Sequence, residues 1–99
     1  FDEIVAILEH RPMYLLDLNR DILAMIAAYL IPDVEIHYSD SYIDEYPGED
    51  ARNQILLKNY TQFECPRYLQ VFEEKSGFVP NLSCLDLLFC LGNYGKNIL

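Results

Sequence analysis

Ser83 and Asp86 stand three positions apart at the start of the apolar run 84–91. Ser-x-x-Asp in that place is a capping-box pattern, in which the hydroxyl accepts a free backbone N–H and the carboxylate faces the positive end of the helix dipole. The same geometry can serve chemistry: open N–H groups hold an anion, and a carboxylate released from its cap can take a proton. Asp86 weakens an anion site there, so the cap is the favoured reading. Arg52, Lys58 and Arg67 stand out because the chain has only seven basic residues against sixteen acidic ones. They suit either ion pairs with nearby carboxylates or a phosphorylated substrate. Arg52 and Lys58 lie six positions apart and would not share one tight helical face. Tyr68 and Gln70 bracket an apolar residue; on a helix they diverge, and only a non-helical segment aims both at one place.

Other chemistries lack their patterns. His10 and His37 are far apart in sequence, and no Cys-x-x-Cys or His-x-x-x-His spacing occurs, so no metal site is expected. The acidic residues Asp40, Asp44, Glu45, Glu49 and Asp50 lack the ladder of a calcium loop and read as a solvated segment. No glycine-rich phosphate loop or nucleophile elbow is present, and no cofactor is expected. Cys84 and Cys90 fall in an apolar run and read as buried thiols, and Cys65 beside Glu64 lacks the positive surroundings of a reactive one.

The bulk numbers narrow the class. Ninety-nine residues, 52% of them hydrophobic, suit one domain or part of one. A net charge of -9 disfavours nucleic acid and anionic membranes. No run approaches the length of a spanning helix, so membrane insertion is not expected. An odd cysteine count fits a reducing, cytoplasmic setting.

The elements that must position these residues read as mainly α with one short strand. A helix over 2–11 has acidic residues early and His10 and Arg11 late, and Pro12 stops it. A second over about 20–30, capped from within 17–21, is apolar nearly all round and should be central, with Ile22, Leu23, Ile26, Ala27 and Leu30 inward. Residues 34–38 alternate and read as a strand whose partner lies elsewhere. Residues 39–50 read as a loop and 51–58 as helical. Pro66 opens a helix to about residue 75, ended by Gly77. A last helix starts at Ser83 and stops before Gly92, with a final turn or two beyond. About four to five short helices should therefore pack on a central apolar one.

Several segments resemble the WbqC-like family in order. They are Tyr14-Leu15-Leu16-Asp17-Leu18-Asn19; Asp50-x-Arg52-x-x-Ile55-x-x-Lys58; Tyr68-x-Gln70-Val71-Phe72; and a terminal block from Gly77 through Phe78-Val79-Pro80-Asn81-Leu82-Ser83-x-x-Asp86-Leu87-Leu88-Phe89 to Gly92. Leu57 stands where the family often has Pro, Cys84 where a branched aliphatic is common, and Cys90 where Asn is usual. The resemblance implies bacterial surface-polysaccharide or O-antigen biosynthesis, with transfer of an amino-acid or acyl group to a nucleotide-linked amino sugar. It further implies that residues 1–99 are the C-terminal half of such a domain. That half would need its N-terminal half or a homodimer partner, and the fold would be α+β once the front half is present. Arg52 and Lys58 would hold phosphate, Asn81 or Tyr68 would meet sugar hydroxyls, and Gln70 and Ser83 would line the same site. Asp86 could act as base only outside its cap role. The rival expectation is a non-enzymatic interaction module or scaffold, which Tyr-rich exposed patches would favour.

Overall fold

The computed structural model describes residues 1–54, 56 and 58–99, apart from the Tyr60 side chain. It is mainly helical, with α1 over Asp2–Glu9, α2 over Leu15–Leu30, α3 over Glu73–Ser76 and α4 over Cys84–Leu91. Short 3-10 turns run over Tyr60–Gln62 and Gly92–Asn97. α2 is the central element: α1, α4 and the last 3-10 turn all pack on it.

Local chemistry sets most boundaries. α1 ends at a His10 C-cap, and Arg11 takes φ 49° just before Pro12, where proline disfavours continued helix. α2 begins earlier than expected, at Leu15 after an extended Tyr14 that makes no side-chain cap bond. Asp17 therefore lies in the first turn, where the dipole favours it. Ser83 caps α4: its Oγ accepts from the Leu85 N–H at 3.2 Å. Gly77 and Gly92, at φ 73° and 55°, end α3 and α4 in a region that favours glycine.

Three expected elements differ. Residues 34–38 form no strand; among the described residues no strand is present. A five-residue stretch of alternating polarity gains nothing without a neighbouring strand to bond. The helix expected over 51–58 is replaced, where described, by turns. Asn53 takes φ 63°, and polar side chains capture the backbone: Gln54 Nε2 donates to the Asp50 carbonyl and Asn59 Nδ2 to the Gln54 carbonyl. Ile55 and Leu57 of that expectation lie outside the described residues. The helix expected over 66–75 survives only as α3, because residues 63–70 are non-helical.

The core is small. Leu30, Tyr68 and Leu87 form its buried centre, with Ile26, Phe78, Leu88 and Ile98 packed around it. Gly95 is buried against it, so close that a Cβ would lie 2.9 Å from Leu30 Cδ2 and 3.2 Å from Leu87 Cγ. Ala27 and Leu30 point inward as expected, whereas Leu23 is exposed. Cys84 is exposed rather than buried, since it occupies the outer side of the first turn of α4, and Cys65 and Cys90 are half-buried.

Much apolar surface stays in water. The accessible area is 8618 Å², against about 5,800 Å² for a compact monomer of this mass. The radius of gyration is 15.8 Å, against about 13 Å for a closed domain of this length.

Candidate functional site

Five of the seven residues singled out in the sequence gather around the start of α4. The non-helical path of 67–71 is the cause. In an extended segment, residues two apart share a face, so Tyr68 and Gln70 both turn inward, each 8% exposed. Leu69 and Val71 turn outward at 75% and 72%.

The Tyr68 hydroxyl donates to Asp86 Oδ2 at 2.7 Å, and its ring meets Phe78 edge-on, with centroids 5.6 Å apart. Burial, and then the Asp86 carboxylate at its hydroxyl, push the phenol's pKa up. Asp86 thus does more than favour the helix dipole: its carboxylate reaches across to the 67–71 segment. Gln70 makes a two-point clasp on Val79, donating from Nε2 to the carbonyl at 2.7 Å and accepting the N–H on Oε1 at 2.9 Å. The backbone N–H of Gln70 donates to Glu73 Oε2 at 3.3 Å, and Glu73 also pairs with Arg67. Asn81, at φ 59°, donates from Nδ2 to the Phe63 carbonyl at 3.2 Å. Ser83 acts as the cap. Beside this group, a cleft of about 620 Å³ runs between 67–77 and Phe89–Cys90 on α4, with the inward Gln70 in its wall.

Arg52 lies elsewhere, and its guanidinium is engaged by its own loop. Nε donates to both Asp50 oxygens at 3.0 Å, Nη2 to Asp50 Oδ2 at 2.6 Å and to the Asp44 carbonyl at 3.1 Å, and Nη1 to the Ile43 carbonyl at 2.6 Å. Asp50 also accepts the Arg52 backbone N–H at 3.0 Å, an Asx turn. The hydrogen bonds from the Arg52 side chain, then from its backbone, lower the Asp50 pKa to about 2. Lys58 is exposed in a turn. The ion-pair reading of Arg52 therefore has a partner and a geometry in the structure, and its guanidinium braces the loop.

Sequence reasoning missed a second grouping. Tyr38, Tyr42 and Tyr46 line an open cleft of about 610 Å³ beside the Asp50–Arg52 pair. Their regular spacing of four was the available signal, masked by an acidic segment that reads as solvated loop. Among the described residues, no group of three or more His, Cys, Asp or Glu could hold a metal, and no helix is long and apolar enough to cross a membrane. Compared with known proteins, the chain matches no family model, no curated protein and no solved structure.

Proposed function

We propose that this chain is the C-terminal half of a WbqC-like protein working in the bacterial cytoplasm on surface-polysaccharide or O-antigen biosynthesis. In this reading the protein acylates a nucleotide-linked amino sugar. The sugar amine attacks the carbonyl carbon of an activated donor, a thioester or acyl phosphate. The amide C–N bond forms, the bond to the donor's leaving group breaks, and the amine's surplus proton passes to a base. One observation carries the proposal. The residues that resemble the family's terminal block also act together in space, through the Tyr68–Asp86 bond and the Gln70–Val79 clasp. Asp86 is assigned the part of that base, its carboxylate positioned by the Tyr68 hydroxyl at 2.7 Å. Asp86→Asn in the native protein tests the role: acylation should fall at least a hundredfold. Unchanged turnover would remove Asp86 as the base.

A second reading, a non-enzymatic interaction or scaffold module, draws on a different observation. Leu69, Val71 and Phe72 form an exposed apolar face next to the 67–77 cleft. Its partner would be the N-terminal half of the domain or a second copy. Sedimentation at several concentrations tests self-association, and a strictly monomeric chain would count against the copy.

A further inference from the structure

An aromatic side chain stands beside the 67–77 cleft without lining it. The cleft walls include Leu69 and Val71, turned outward by the extended path, and Phe89 and Cys90 from α4. Phe72 follows Val71 in the chain and is 69% exposed. Its place is fixed: it is the N-cap of α3, and its carbonyl accepts the N–H groups of Lys75 and Ser76 at 3.0 and 3.1 Å. Leu69 and Val71 are fixed in turn by Tyr68 and Gln70, whose side chains are buried and bonded. A projecting aromatic next to an apolar cleft on one surface is self-complementary. A two-fold pair needs that property, because residue i of one copy meets j of the other and j meets i.

The open area is of dimer size. The chain exposes 8618 Å², roughly 2,800 Å² more than a compact monomer of its mass, whereas a stable pair needs about 800 Å² from each partner. Charge selects where two copies can meet. Residues 1–64 hold thirteen acidic and four basic residues, and residues 65–99 hold three of each. The whole net charge of -9 therefore belongs to the first part, and two such parts repel each other. Around the cleft Arg67 and Lys75 balance Glu73 and Glu74, and Arg67 already pairs with Glu73. Another exposed apolar run, Met13-Tyr14-Leu15-Leu16, lies in the acidic part.

We infer that the face of Leu69, Val71, Phe72 and Phe89 is the interface of a two-fold symmetric homodimer, in which Phe72 of each copy enters the cleft of the other. This commits the interaction-module reading above to a second copy as its partner and rests on that reading. Phe72 is the anchor, since a large aromatic on a fixed backbone has little freedom left to lose on binding.

The test is sedimentation velocity of the native protein from about 1 to about 500 µM. A species of twice the monomer mass should form with a Kd of about 1–100 µM. Phe72→Glu and Leu69→Glu should each weaken association about tenfold or more. Both side chains are exposed, so the helix signal in circular dichroism should stay unchanged. Leu16→Glu, on the 13–16 run, should leave association as it is. Raising salt from about 50 to about 500 mM should tighten the pair, because it screens the repulsion of two acidic chains. A protein still monomeric at about 500 µM overturns the inference. So does a dimer that survives both Phe72→Glu and Leu69→Glu, or one that salt dissolves. The interface and the reading it rests on fail separately. Acylation by a dimer that Phe72→Glu splits would keep the interface and remove the non-enzymatic module. A monomer without acylation would remove the interface and leave the module to the N-terminal half.

Discussion

Gln70 and Val79 are joined by a closed pair of hydrogen bonds, the Gln70 carboxamide lying against the Val79 peptide at 2.7 and 2.9 Å. The clasp ties the extended segment 67–71 to the approach to α4 and brings Tyr68 over Asp86. Gln70→Ala removes both bonds from a buried position. Val79 is partly exposed and can turn to water, so the loss should be about 1–2 kcal/mol. Urea unfolding of the variant and the parent chain measures it.

Tyr68→Phe deletes one hydroxyl and its bond to Asp86 while keeping the ring against Phe78. It should cost about 1 kcal/mol near neutral pH. The phenol's pKa is raised in the folded chain. Its contribution is therefore complete below about pH 10 and is lost as pH rises through the folded pKa. Melting temperatures measured from about pH 8 to about pH 11, roughly two units below the ordinary phenol value to one above it, should fall at the alkaline end.

Gly95→Ala places a methyl 2.9 Å from Leu30 Cδ2 and 3.2 Å from Leu87 Cγ, in the most buried part of the molecule. Overpacking there should destabilise by about 1–3 kcal/mol. Thermal unfolding by circular dichroism at 222 nm follows it through the helix signal; an unchanged midpoint would show that the two leucines can shift without loss.

The Asp50–Arg52 loop should respond to acid. Asp50 has its folded pKa lowered to about 2 by Arg52. Its stabilising effect is present above the ordinary carboxylate value and is lost as pH falls through about 2. Ring resonances of Tyr42 should therefore hold their positions down to about pH 4 and move below pH 3. In Asp50→Asn the same resonances should already be displaced at neutral pH.

The parts legible in the sequence are those governed by neighbours in the chain. Ser83 caps α4 because its hydroxyl needs only the N–H two residues on. Gly77, Gly92 and Pro12 end helices through their own backbone preferences. The central place of α2 followed from its nearly continuous apolar surface. What misled was tertiary. Pro66 is a good first residue for a helix, yet an extended path buries Tyr68 and Gln70 together, which a helix cannot do. The partners that decide it, Asp86 and Val79, lie eighteen and nine residues away. Arg52 was legible as an ion-pair candidate, and Asp50 two residues away is its partner; the Ile43 and Asp44 carbonyls that complete its bonding are backbone groups that carry no mark in a sequence. The three tyrosines of the cleft carried a signal in their spacing of four, but their common cleft depends on the loop that Arg52 braces.

The amide-forming step proposed for an amino sugar can be checked on the product itself. The most direct test is to incubate the native protein with a nucleotide-linked amino sugar and an acyl thioester, then read the sugar's mass. The expected result is a gain equal to one acyl group less one proton, dependent on the protein and sharply reduced in Asp86→Asn. An unchanged sugar mass across amino-sugar and donor classes, with the native protein folded, would contradict it.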